Sequence, residues 1–369
     1  MISKGMLWLI VGGGLPLLTY GQNSPRIAPV PSDPLELAAG RIQVAGPASR
    51  KAMLQLLARA RNNYTLRTAR QGYDLKINFT ADSLGQTDYD GAWELEDVFV
   101  PGKGLHWTAR AAAGYTLTGI ASNGELYGEG TASVVPLRLE DVRGIVLHPL
   151  PSDEYASHES IRTSTATFHG ALVTCVLLST SKSAANPPLG RAWEESEECI
   201  DPQSGLLQMH SEAPGRYVVY DYSNAPQLGG HILPRTVTVT EAGRIVSTIS
   251  VEKLEEITGT DPTLFVPSEA MRARGRSIEM TATTKVSRVH GLGPFTSAMT
   301  VRPVCVFGVA TPTGHLVEVH SLQPSDPNSQ AAVGDAKQID FSPSTSAGSL
   351  PGAPARQHFV FVIEKFISQ

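Results

Sequence analysis

The chain has 369 residues, of which 41% are apolar and 18% charged, and its net charge is −5. That apolar content with so small a net charge excludes a disordered chain, and the lack of any Lys/Arg block argues against a nucleic-acid partner. A single long apolar run, at the extreme N-terminus, excludes a polytopic membrane protein. The 34 glycines and 26 prolines favour turns over long helices.

Lys4 is the only charge among the first 21 residues, and Met6 to Leu18 is apolar apart from glycines and one proline. The run is too short for a bilayer span but suits the core of an export signal, with cleavage expected after Gly21. Residues 22–46 read as a proline-rich linker. Residues 47–63 then read as one helix with Ser49 as N-cap. Met53, Leu56, Leu57 and Ala60 fall on one face at helical spacing.

The period changes to two at Tyr73, Leu75, Ile77 and Phe79, which alternate with Asp74, Lys76 and Asn78, the pattern of a half-buried antiparallel strand. Trp93/Leu95 and Trp107/Ala109/Ala111 continue it, and Pro136–Leu147 is a second, short helix candidate. Strands follow at Thr165–Ser179, Arg191–Ile200, Leu206–Glu212, Arg216–Tyr222, Thr236–Thr240 and Ile245–Ile257. A meander of nine or ten strands must curl to cover its apolar face, with the helix filling the hollow. The expected class is mainly β (α+β). A half-open antiparallel β-barrel with one N-terminal helix occupies residues 47–265, a linker 266–295, and a small ββαβ domain 296–369.

Three cysteines are present. Cys175 and Cys199 lie on strands joined by a polar loop and are expected to form a disulfide, leaving Cys305 free and buried. No Gly-x-Ser-x-Gly elbow, phosphate loop, dinucleotide fingerprint or zinc spacing occurs, so no catalytic residue, metal ligand or cofactor is assigned. His210 with Glu212, and the cluster Glu194, Glu195, Glu197 and Glu198, read as solvated surface groups. Phe79, Trp93, Trp107 and Tyr220 on the strands are the candidate ligand-binding residues, able to line an apolar hollow.

Two resemblances add to this. The C-terminal stretch resembles the TonB C-terminal-type domain through the Val301–Ala310 strand, the turn at 313–314, Val317–Leu322, the helix Gln330–Lys337 and the final strand Phe359–Phe366. That resemblance implies a protein-interaction module that pairs with an envelope protein by strand addition. Residues from about 50 to 260 resemble the LolA-like lipoprotein carriers. The helix containing Leu56–Tyr64 comes first, then the meander, with Cys199–Leu207 and Ile232–Val239 similar to that family's later strands. This resemblance implies a periplasmic half-barrel whose apolar cavity holds acyl chains.

Together these readings predict a non-enzymatic exported protein of the bacterial envelope, periplasmic or secreted, that binds a lipid or a lipoprotein acyl chain. The alternatives are an interaction protein with a filled core, and a periplasmic hydrolase using His210 or His320 with nearby carboxylates.

Overall fold

Alternating apolar residues along most of the chain drive strand pairing, and the result is one very wide sheet. A computed structural model describes residues 34–37, 42–68, 71–122, 125–132, 134–179, 191–257, 259, 261–274, 284–290, 300–311, 313–341 and 355–368. The export signal expected at 1–21 lies outside the described residues. No described helix is long and apolar enough to cross a membrane.

Helix α1 (Pro47–Tyr64) starts at Gly46, with Pro47 in the first turn where a missing N–H costs nothing; Ser49 lies inside the helix and is not its cap. Five strands follow as a meander: β1 (Gly72–Ala81), β2 (Gly91–Val100), β3 (Gly104–Ala111), β4 (Thr116–Ser122) and β5 (Glu125–Gly130). Helices α2 (Leu137–Leu147) and α3 (Asp153–His158) lead to a second meander. Its strands are β6 (Ser160–Phe168), β7 (Ala171–Ser179), β8 (Ser196–Ile200), β9 (Leu207–Ala213), β10 (Arg216–Asp221), β11 (Thr236–Glu241) and β12 (Arg244–Ile257).

The last strand of the second meander pairs with the first of the first meander, Ser247 opposite Ala81 through Ile257 opposite Gly72. The spatial order is therefore β6 to β12, then β1 to β5. The sheet is antiparallel and does not close on itself, a half-open barrel. Two two-residue strands, Glu36–Leu37 and Gln43–Val44, pair with β6 at its outer edge; both fall within the expected linker.

Thr165–Ser179, read from sequence as one strand, is two strands folded back at His169-Gly170, both with positive φ. β4 and β5 were not anticipated: Gly119, Gly128 and Gly130 dilute their apolar alternation. The helices cover the inner face of the sheet. Leu56, Leu57 and Ala60 of α1, and Leu139, Val142, Ile145 and Val146 of α2, pack in one core cluster with inner-face residues of the strands.

The C-terminal unit has the ββαβ order expected, β14 (Thr300–Ala310), β15 (Leu316–Ser321), α5 (Ser329–Ala336) and β16 (His358–Ser368). A further strand, β13 (Thr284–His290), pairs in parallel with β16; together with helix α4 (Glu269–Arg274) it lies in the stretch expected as a linker. One face of this sheet packs on α5 through Val304, Val306, Val360 and Val362 against Ala332 and Ala336. The other face, with Cys305, Phe307, Phe361 and Ile363, packs on Leu137, Trp193 and Ala213 of the half-barrel.

Candidate functional site

The four aromatic residues singled out from sequence all enter the inner-face core, each 3% exposed or less. Phe79 and Trp93 are cross-strand partners whose rings stack at 5.9 Å. Trp93 Nε1 donates to the Tyr89 carbonyl at 2.9 Å. Trp107 is on the adjoining strand β3, opposite Asp97, and its indole rests on Gly119, where a Cβ would lie 2.2 Å from Nε1. Tyr220 sits on β10, separated from β1 by β11 and β12. So Phe79 and Trp93 touch, Trp107 adjoins, and Tyr220 lines a different part of the same cluster.

A polar centre lies among these rings. Asp97 is fully buried and accepts from Tyr73 Oη at 2.9 Å. Arg143 of α2 reaches it at 3.5 Å while its guanidinium covers the Trp107 ring at 4.8 Å. Burial and the Asp97 charge push the Tyr73 phenol well above its ordinary range.

At the C-terminal end of α1, the Tyr64 hydroxyl accepts from the Leu207 N–H at 2.7 Å and pairs with Tyr222, which donates to the Leu207 carbonyl at 2.7 Å. Burial pushes Tyr64 up to about 12. Beside it is a cavity of about 80 Å³, lined by Arg61, Tyr64, Thr65, Leu147, His148, Pro149 and Leu150, where α1 meets the segment after α2.

The opposite end is closed by an ionic cluster that the sequence reading missed. Arg138 of α2 makes two bonds to Glu241, at 2.6 and 3.1 Å, and a third to Glu318 of β15. Arg216 pairs with Glu241 at 3.1 Å, with Glu212 at 2.6 Å and with Asp141. His210 sits between Glu212 at 3.1 Å and Glu198 at 3.6 Å. His320 Nε2 lies 3.1 Å from Glu241. Phe307 and Phe359 of the C-terminal sheet lie over the two guanidinium groups at 5.0 to 6.0 Å.

This corrects the expectation of solvated groups for all of them but Glu194, whose side chain is 36% exposed. Glu195, Glu197 and Glu198 are 1–4% exposed, and the His210 and Glu212 side chains 14%. Arg162 and Arg191 neutralise Glu195 at 2.6 Å and Glu197 at 3.2 Å, which is why these acids can leave water. The signal available was Arg216 at the start of a strand that otherwise reads as buried. Against desolvation, Glu212 and Glu198 raise His210 to about 9. Glu241, Glu318 and His320 bring ligand-type atoms within 4.8 Å of one another, but Arg138 lies against both carboxylates and meets their charge there.

Cys175 and Cys199 are directly opposite on β7 and β8 and form the expected disulfide, on the outer face of the sheet. Cys305 is the free, buried cysteine, and burial pushes its thiol up to about 12.

No protein-family model matches the chain, and no curated protein matches it. Among solved structures it is similar to a DUF1329 family protein from Desulfovibrio piger, at 10% identity and a TM-score of 0.37, over 60% of this chain and 98% of that one. It is similar to a LolA superfamily protein from Nitrosomonas europaea at 9% identity and a TM-score of 0.34, over 58% and 96%. A third likeness is to MucB, at 10% identity and a TM-score of 0.29, over 61% and 64%. With TM-scores under 0.5, these likenesses decide neither the fold nor the function of this chain.

Proposed function

We propose that this chain is a non-enzymatic binding protein of the bacterial envelope that holds a lipid, or the acyl chain of a lipidated partner, between α1 and the inner face of the half-barrel. The observation that carries this reading is the disparity between the narrow apolar face of α1 and the very large apolar surface beneath it. Only Leu56, Leu57, Ala60 and Tyr64 of its 18 residues are buried, whereas the sheet beneath presents apolar side chains from most of its strands. Sites for small ligands run to roughly 300–1,000 Å³, so the cavity of about 80 Å³ at the end of α1 is an entry seam and the acyl chain takes its place by lifting the helix. Phe79, Trp93, Trp107 and Tyr220 would then become its contacts.

The C-terminal sheet supplies a protein-interaction module by strand addition, and β13 is the edge that would accept the partner strand. On the opposite edge, the Val319 N–H is already taken by Gln86 Oε1 at 3.0 Å.

The test is native mass spectrometry of the mature protein purified from envelope without detergent, with organic extraction of anything bound. A lipid at near one-to-one ratio supports the carrier reading. A clean mass that stays unchanged on adding lipid overturns it and favours the second reading, an interaction protein with a filled core, whose support is the burial of all four aromatic residues.

A further inference from the structure

The cavity at the C-terminal end of α1 has two unlike walls. Tyr64, Leu147 and Leu150 belong to the inner-face core cluster, whereas Arg61, Thr65 and His148 are polar. The Arg61 guanidinium is fixed on two sides: Nε donates to the Pro151 carbonyl at 2.7 Å, and Nη1 pairs with Asp153 at 2.6 Å. Its Nη2 is buried and meets no acceptor among the described residues. A buried charged donor left without an acceptor is costly, so the seam favours a ligand that brings one. An anion is the poorer fit. The charge of Arg61 is already met by Asp153. The last turns of α1 and α2 both border the cavity, through Tyr64 and Leu147, and present the partly negative ends of two helices. A neutral carbonyl oxygen takes the Nη2 hydrogen without adding charge. At roughly 10–15 Å³ per water, a cavity of about 80 Å³ has room for about five, the bulk of one ester or amide group.

We propose that this seam is the seat of the ligand's acyl carbonyl: Arg61 Nη2 donates to an ester or amide oxygen, so the protein selects esterified or amidated acyl chains over free fatty acids. The chain leaves the seat along the apolar wall of Tyr64, Leu147 and Leu150. The proposal rests on the carrier reading for the course of that chain, but the seam receives a carbonyl group with α1 where it stands.

The mature protein is titrated calorimetrically with four probes of one chain length: methyl octanoate, N-methyloctanamide, octanoate and methyl octyl ether. The two carbonyl probes are expected to bind on the order of tenfold or more tighter than the ether and the carboxylate. Arg61→Lys, which keeps the charge but not the forked donor, should remove the gap between ester and ether. An ester preferred over the amide supports a glyceride as the source, and the reverse supports an N-acylated protein. Equal binding of ester and ether overturns the seat and leaves the carrier reading standing. Tightest binding of octanoate overturns it in favour of an anion site. If none of the four binds, the carrier reading falls, and N-methylacetamide, small enough for the seam as it stands, decides the seat. It should shift the Leu147 and Leu150 amide resonances in the wild type and less in Arg61→Lys. No shift in the wild type, or an equal one in the variant, overturns the proposal. If Arg61→Lys fails to fold, the wild-type ratio of ester to ether decides alone.

Discussion

Glu318 and Arg138, 180 residues apart in sequence, form an ion pair whose side chains are only 3% and 5% exposed. Arg138 also holds Glu241, so one guanidinium neutralises carboxylates from two sheets. Arg138→Met would leave both acids buried without their main partner. We expect a loss of about 3–5 kcal/mol, read as a lowered urea midpoint at neutral pH. Adding Glu318→Gln and Glu241→Gln to Arg138→Met should return part of that loss, because the uncompensated charges go with it.

His210 makes a separate pH prediction. Its imidazole is raised to about 9 by Glu212 and Glu198 despite burial. A folded-state value above the unfolded one of about 6.5 means stabilisation that is complete below about pH 6.5 and is lost as pH rises through about 9. The difference in unfolding free energy between the wild type and His210→Gln should therefore shrink over that interval, by at most about 1.4 kcal/mol per pH unit. Lys285 is held down to about 8 by burial and by Arg191. It works in the opposite sense, adding stability as pH rises from about 8, so the comparison is cleanest below that. Equal pH profiles for the two proteins would refute the assignment.

The disulfide closes a loop of sequence separation 24. Replacing Cys175 and Cys199 by alanine should cost about 3 kcal/mol if chain entropy dominates. The β7–β8 pairing is held by its own ladder as well, so the variant should keep the wild-type far-ultraviolet circular dichroism at 25 °C while melting earlier. Loss of the β signal at that temperature would show that the bridge, rather than the ladder, sets the register.

Gly119 is the floor under Trp107. A methyl group there meets the indole at 2.2 Å, and the ring is held from above by Arg143. Gly119→Ala should cost about 1–3 kcal/mol by overpacking and shift the near-ultraviolet dichroism of the tryptophans. Gly144→Ala, where nothing lies within 4 Å of the added carbon, is the control and should stabilise its helix slightly.

Much of the architecture was readable because local pattern and burial agree. Tyr73, Leu75, Ile77 and Phe79 alternate in sequence and alternate in burial. Leu56, Leu57 and Ala60 share one helix face and one core. The cysteine pair was legible because both lie on strands of a single hairpin. What stayed hidden depends on partners distant in sequence. β13 pairs with β16 in parallel, and only the fold brings those segments together. Glu212, Arg216, Glu241 and Glu318 each look like a surface charge when read alone. Their burial follows from mutual neutralisation across two sheets, which no local window contains. The four aromatic candidates were found by residue type, and the structure places all of them in one cluster.

The order of strands in the wide sheet has a consequence for the nascent chain. β1 is complete at residue 81, yet the strand that covers its free edge begins at Arg244. At a synthesis rate of roughly 5–20 residues per second, the first meander waits on the order of ten seconds or more with an open edge carrying Tyr73, Leu75, Ile77 and Phe79. An unpaired edge of that kind recruits other strands. The polypeptide must therefore be shielded, or kept from pairing, until its second meander emerges, and truncations ending before residue 257 are expected to aggregate even when they retain β1–β5 intact.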